Sequence, residues 1–147
     1  MRIASNYTFD ASPEEVWPHI FDPVSLVGLI PGCQTIQQVS VDEYRGQIGI
    51  VLPAIVGTYE TVVKLVEHDE PQHCTFEGEV TGATGSIKGT ASFRLKEVNG
   101  QKTLLEYEGQ GLITGALGKL SSRFIEGVAR TLINQGLAQL NRDLKSD

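Results

Sequence analysis

Three histidines, two cysteines and four tyrosines carry much of the chemistry this chain can offer. His68 stands five residues before His73, which adjoins Cys74, across a turn bearing Asp69 and Glu70. A zinc site needs about four well-placed ligands, or three plus water, and this grouping matches no such spacing, so it reads as a solvated turn. Cys33 and Cys74 set no disulfide framework and read as reduced, half-buried thiols. The segment from Gly111 to Leu120 superficially resembles a phosphate loop, but Ile113 stands where its first glycine belongs and Leu120 where Ser or Thr must follow Lys119. Gly-x-Ser-x-Gly is absent. Glu106 and Glu108 alternate with Tyr107 and so share a wet strand face, a poor setting for a paired acid and base. These residues nominate no catalytic group, no metal ligand and no cofactor. What remains is orientation: Tyr7, Tyr59 and Tyr107 could each hold a hydroxyl inside an apolar cavity and direct a ligand carbonyl. Each could equally be a core or rim tyrosine bonded to backbone.

The elements that must position those tyrosines follow from periodicity. Ile3, Tyr7 and Phe9 share one face of a first strand. Ser12-Pro13-Glu14-Glu15 then starts a short helix with a capping box, and Val16, Trp17, Ile20 and Phe21 form its buried stripe. Pro18 should kink or shorten it. A second short helix is expected from Pro23 to Leu29, before Pro31-Gly32. Six strand patterns follow, near 34–41, 44–52, 57–67, 73–81, 86–98 and 102–112. Ile87, Gly89, Ala91, Phe93 and Leu95 oppose Ser86, Lys88, Thr90, Ser92 and Arg94, so the sheet has one dry and one wet face. From about 115 to 144 a single amphipathic helix is expected, carrying Leu117, Leu120, Phe124, Val128, Leu132, Leu137 and Leu140. At about 29 residues it would be ~43 Å long, enough to span a curved sheet. The prediction is one α+β domain over residues 1–147: a curved, antiparallel, seven-stranded sheet wrapped around a long C-terminal helix, with two short helices after the first strand.

The loops carry a sharper signal. In a meander every second connection lies at the same sheet edge. One set is polar: Asp42-Glu43, then the stretch from Glu67 to Glu70, then Asn99-Gly100-Gln101. The other set has no charge: Leu29-Ile30-Pro31-Gly32, Leu52-Pro53-Ala54-Ile55-Val56, Thr81 to Gly85, and Gly111 to Leu117 with Leu112 and Ile113. An uncharged, glycine-rich, apolar edge either closes over a pocket and touches a membrane or partner, or packs on itself to cap an ordinary core. Gly78, Gly89, Ala91 and Gly109 lie on dry strand faces and so leave volume unfilled, unless they mark bends.

Twelve Lys and Arg against 18 Asp and Glu give a net charge of −6, which argues against a nucleic-acid partner. No segment reaches the ~18 continuous apolar residues of a membrane span. The start, Met1-Arg2-Ile3-Ala4-Ser5-Asn6, lacks an apolar signal core. A soluble cytoplasmic protein is expected.

Three segments together resemble the CoxG family, named for the G-subunit of carbon monoxide dehydrogenase. They are Ile30-Pro31-Gly32-Cys33 after a Trp-bearing first helix, Gly85-Ser86-Ile87-Lys88-Gly89 opening a long strand, and the run from Ser122 to Arg130 in the last helix. That family belongs to the START-like, Bet v1-like (SRPBCC) superfamily with its helix-grip fold. The resemblance implies an accessory protein with an apolar cavity beneath the last helix, cytoplasmic or peripheral at the inner face of the membrane. It implies a link to molybdenum-dependent carbon monoxide dehydrogenases and related hydroxylases, by recruiting the enzyme to the membrane or carrying quinone between them. The chain stops at Asp147, without the Pro-rich extension and anchor of some members, and its apolar loop from Leu52 to Val56 offers transient contact in its place.

The resulting expectation is a non-enzymatic carrier of a quinone or lipid-like molecule. Its lining is expected from Tyr7, Trp17, Ile50, Tyr59 and Phe76, with Phe93, Tyr107, Leu117, Leu120 and Phe124. Membrane or partner contact is expected at Leu29, Ile30, Leu52, Ile55, Val56, Leu112 and Ile113. The alternatives are a docking module that holds no ligand and, third, a polyketide-cyclase-like enzyme, which needs polar residues converging in the cavity.

Overall fold

Seven period-two segments form seven strands, and their order in the sheet is the meander order. The computed structural model describes residues 1–29, 32–52 and 55–145, without the side chains at positions 25, 28, 29 and 52. The elements are β1 (Arg2–Phe9), α1 (Pro13–Ile20), α2 (Pro23–Leu29), β2 (Cys33–Ser40), β3 (Glu43–Leu52), β4 (Ile55–Asp69), β5 (His73–Gly82), β6 (Gly85–Val98), β7 (Lys102–Thr114) and α3 (Ser122–Lys145). One antiparallel sheet runs β1-β7-β6-β5-β4-β3-β2. The strand ends fall within two residues of the predicted ones, as boundary definitions allow.

α1 is short for the anticipated reason. Ser12 Oγ accepts from the Glu15 N–H at 3.3 Å and the Glu15 carboxylate reaches back to the Ser12 N–H at 3.5 Å, closing the capping box. Pro13 starts the helix and Pro18 lies inside it, two residues before it ends.

The last helix departs from expectation. The stretch from 115 to 144 is not one helix: Gly115–Lys119 is a 3₁₀ turn, Leu120 is extended (φ −78°, ψ 151°), and α3 begins at Ser122. Ser121 is the reason. Its Oγ accepts from the Phe124 N–H at 3.1 Å and its carbonyl from the Ile125 N–H at 3.2 Å, so it caps a new helix. At 24 residues α3 is ~36 Å long, still enough to span the sheet.

α3 runs alongside β1 and is fastened to it at both ends. The Arg2 N–H donates to Glu126 Oε1 at 2.9 Å, and the Asp10 N–H donates to Asn141 Oδ1 at 3.0 Å. Lys145 adds an ion pair to Asp10 at 2.8 Å. Between those ends the Tyr107 hydroxyl donates to Asn134 Oδ1 at 3.2 Å, tying α3 to the middle of β7.

Most of the buried apolar residues fall into two clusters, with Tyr44 and, on α3, Ile125 in neither. The larger contains Phe9, Val16, Trp17, Cys74, Phe93, Leu95, Leu105 and Leu140, with Tyr7, Phe21, Phe76, Tyr107 and Leu137 packed against it. The smaller contains Ile55, Tyr59 and Leu117, with Ile50, Val80, Ile87, Ile113 and Leu120 against it. A domain of this size ordinarily has one contiguous core, with at most small satellites.

Candidate ligand-binding hollow

Reading the registers across the concave face shows what separates the two clusters. Tyr59 is 2% exposed, so its side of β4 is the concave one, and side chains alternate from there. Thr61 pairs with Val80, Val80 with Ile87, and Ile87 with Ile113, the floor of the smaller cluster. The next row inward is Val63, Gly78, Gly89 and Gly111. The row after that is Leu65, Phe76, Ala91, Gly109 and Ile3. Glycine thus occupies three neighbouring strands at one level, with Ala91 and Gly109 beside it. Three strands span ~10 Å.

These glycines do different things. A Cβ on Gly78 would meet nothing nearer than the Val62 carbonyl at 3.9 Å, so Gly78 leaves room. A Cβ on Gly89 would come within 2.0 Å of the Gln110 carbonyl, so glycine is required there by close backbone approach. Gly109 touches Ala91 Cβ, at 3.2 Å from an ideal Cβ. The expectation of unfilled volume therefore fits Gly78, whereas Gly89 marks a tight crossing of strands.

The sequence-nominated residues divide between the two ends of this trough. Tyr7, Trp17, Phe76, Phe93 and Tyr107 belong to the larger cluster. Trp17 sits in a set of tilted rings, 4.9 Å from Phe21 and 5.7 Å from Phe93, and is 6% exposed. Ile50, Tyr59, Leu117 and Leu120 belong to the smaller cluster at the loop edge. Phe124 joins neither: it is 40% exposed and, with Gly127, Val128, Thr131 and Leu132, lines a separate hollow of about 530 Å³ on α3. Its expected alignment with Leu117 and Leu120 assumed a continuous helix, and the break at Leu120 removes that phase relation.

Three of the four tyrosine hydroxyls are also engaged. Tyr59 pairs with the Thr84 hydroxyl, Tyr107 with Asn134, and Tyr44, to which the sequence assigned no role, with the Phe21 carbonyl at 2.9 Å. Tyr59 thus anchors the β5–β6 turn. Gly82 lies under its ring, where a Cβ would come within 2.6 Å of Cδ2. The residue missed entirely is Thr61. Its Oγ1 is buried and has no hydrogen-bond partner among the described residues. A threonine in a strand otherwise rich in β-branched residues gave no signal by itself.

At the loop edge, Val51, Val56 and Leu112 are 86%, 61% and 70% exposed. Ile55 is not: it is 5% exposed and packs with Tyr59 and Leu117, because it begins β4 facing inward. Ile113 likewise packs inward against that cluster. Ile30 lies outside the described residues, as do the side chains of Leu29 and Leu52. The Leu117 N–H donates to the Thr84 carbonyl at 2.8 Å, holding the 3₁₀ turn against the β5–β6 turn.

Burial raises the Cys74 thiol to about 11 and raises Cys33 as well. Among the described residues no group of three or more His, Cys, Asp or Glu could hold a metal ion. Two further grooves, about 460 and 590 Å³, lie over β1, β7 and β6 among Thr90, Ser92, Arg94, Glu106 and Glu108. Their polar, charged walls suit no apolar ligand. No helix among the described residues is long and apolar enough to cross a membrane.

A long helix gripped by a seven-stranded antiparallel meander, with two short helices after the first strand, is the helix-grip fold of START and Bet v1-like proteins. A conserved protein from Geobacillus kaustophilus superposes with a TM-score of 0.94 at 22% identity, over 99% of this chain and 96% of that one. A START superfamily protein from Mycobacterium smegmatis gives 0.76 at 10% identity, over 99% and 97%. Ara h 8.0201 gives 0.70 at 12% identity, over 100% and 99%. No curated protein matches the chain in sequence. The family model for the carbon monoxide dehydrogenase G-subunit (CoxG) matches residues 7–145, and the chain belongs to that family.

Proposed function

We propose that this protein carries an apolar small molecule, quinone-like or lipid-like, between α3 and the concave sheet face, and that it does so without catalysing a reaction. The observation that carries this reading is the divided core: two apolar clusters stand apart across a row of Gly78, Gly89 and Gly111. Ordinary packing fills such a level with side chains. Membership in the CoxG family supports an accessory role beside a molybdenum-dependent carbon monoxide dehydrogenase-type enzyme. The exposed Val51, Val56 and Leu112 suit brief contact with a membrane surface during loading and release. Burying ~300 Å² of apolar ligand surface contributes ~7.5 kcal/mol before association costs, enough for binding that still reverses.

The test is native mass spectrometry of protein recovered with membrane lipids, wild type beside Gly78→Leu. A lipid or quinone adduct on the wild type and a bare mass on the variant are expected, with the fold of both checked by circular dichroism. A bare mass for the wild type, after exposure to lipid and quinone alike, defeats the reading. Gly78 serves better than Gly89 here, because any side chain at Gly89 collides with backbone. The second reading, a docking module that binds an enzyme partner through the same edge, is favoured by the exposure of Val51, Val56 and Leu112. It predicts that Gly78→Leu keeps its enzyme partner and its whole activity.

A further inference from the structure

We infer that a second hollow, at the polar-turn end of the sheet, binds a small trimethylammonium cation. It has a volume of about 270 Å³, and Trp17 and Phe21 from the first helical segment, Tyr44 of β3 and Leu65 of β4 line it. Val41 of the β2–β3 turn and Glu70 of the β4–β5 turn line it as well. The inference is independent of the carrier reading, whose apolar rim lies at the opposite end of the strands.

Three aromatic side chains line one small volume. The Trp17 and Phe21 ring centroids are 4.9 Å apart at an interplanar angle of 50°, so the rings meet as a corner rather than a stack. The Tyr44 hydroxyl donates to the Phe21 carbonyl at 2.9 Å, which fixes the third ring beside that corner. The Leu65 N–H donates to the Asp42 carbonyl at 2.7 Å and holds the β2–β3 turn against β4. Fixed walls keep the ordering cost of binding low. Aromatic faces attract cations, and rings grouped around a methylated nitrogen recognise quaternary ammonium. The charge agrees with this. Glu70 lines the hollow, Asp42, Glu67 and Asp69 lie in or next to the two turns, and no described lysine or arginine lines it. Burial and then the negative charge of Asp22 raise the Tyr44 phenol, so the field at that ring favours a cation. Leu65 and Val41 offer methyl groups to the methyls of the ligand and no side-chain acceptor to an ammonium N–H. The volume is below the roughly 300 Å³ at which sites for drug-sized ligands begin, so the ligand is small. Acidic turns frame the mouth, which suits a free solute better than a headgroup held in a bilayer.

Trp17 is the only tryptophan of the chain, so its fluorescence reports on this hollow directly. The full chain is titrated with choline and with 3,3-dimethylbutanol, the uncharged isostere in which carbon replaces the nitrogen. Choline is expected to shift the Trp17 emission saturably with a Kd of roughly 1 mM, and the alcohol to need about tenfold more. Glu70→Gln and Val41→Lys, both at exposed positions, should each weaken choline by about threefold to tenfold and leave the melting temperature unchanged. Equal potency of choline and the alcohol would mean an apolar dent indifferent to charge, and the inference falls. It falls as well if ~100 mM choline leaves the emission unmoved, or if both variants bind choline like wild type. Sedimentation with phosphatidylcholine vesicles separates a free cation from a lipid headgroup. Protein that pellets with the vesicles yet ignores free choline would overturn the soluble-cation assignment. The carrier reading stands or falls on its own adduct measurement in every case.

Discussion

Cys74 is fully buried and its thiol is raised to about 11, because its surroundings disfavour the thiolate. Cys33, half-buried at the start of β2, is also raised but sits nearer solvent. At pH 8 iodoacetamide should therefore modify Cys33 and leave Cys74 untouched until the protein is denatured, a difference read by peptide mass mapping. Modification of both at equal rates under native conditions would contradict the burial of Cys74. At this scale the sequence was a partial guide. Alternation placed Tyr7, Tyr59, Phe76, Phe93 and Tyr107 on the inward face, where each packs in one of the two clusters, whereas Phe124, placed by helical spacing, is exposed. It did not reveal that Tyr59 and Tyr107 spend their hydroxyls on Thr84 and Asn134, since both partners lie more than twenty positions away in the chain. Thr61 was invisible for the converse reason: only the absence of a neighbour makes it unusual.

Among the elements, the junction between the 3₁₀ turn and α3 rests on one side chain. Ser121→Ala removes the acceptor for the Phe124 N–H and should cost about 1 kcal/mol, seen as a lower urea midpoint with unchanged slope. The far end of α3 depends on charge. The Asp10 carboxyl lies below its ordinary value of 3.8, chiefly through hydrogen bonds from Lys145 and Asn141, so its contribution is present above 3.8 and is lost as pH falls through the lowered folded value. The Lys145 amine lies above 10.5, through the same pair, so its contribution is present below 10.5 and is lost as pH rises through the raised folded value. The melting-temperature gap between wild type and Asp10→Asn should be widest between those limits and narrow beyond each. A gap that stays constant from pH 2 to 12 would show that the pair contributes nothing. The strands could be read almost to the residue, because period two is unambiguous over ten or more positions. The helix is shorter than its periodicity implies: Leu117, Leu120, Phe124 and Val128 keep helical spacing straight through the break, and periodicity alone does not register a cap. Ser121 before Ser122 was the available signal.

For the whole molecule, Val51, Val56 and Leu112 are the exposed apolar side chains of the uncharged loop edge, while Val39, Val41 and Val66 are exposed by the polar turns opposite. Replacing Val51 and Leu112 by Asp should slow transfer of a carried lipid or quinone between vesicles by roughly tenfold or more, since each side chain contributes on the order of 1.5–3 kcal/mol when buried. Both are largely exposed, at 86% and 70%, so the melting temperature should change little. Unchanged transfer would remove the loop edge from the pathway. The architecture was legible because seven alternating segments and a terminal amphipathic helix admit few topologies. The divided core was legible only in outline. Gly78 and Gly89 look alike in the sequence, yet one leaves space and the other admits a neighbouring carbonyl, a distinction that only the approach of the adjacent backbone makes. Ile55 was misjudged as rim for a related reason: its loop is apolar, but its own position begins an inward-facing strand.

The two flanks of the sheet bear on how the chain behaves when concentrated. β1 has its outer amides occupied at both ends by α3 side chains. β2 is irregular at both ends, with register shifts between Cys33 and Thr35 and between Gln38 and Ser40. The straight stretch left on that flank is short and glutamine-rich, and bulged strands make poor templates for lateral growth. Neither border invites a further chain to stack, so the protein can present a greasy rim at one end without seeding fibrils from its sides.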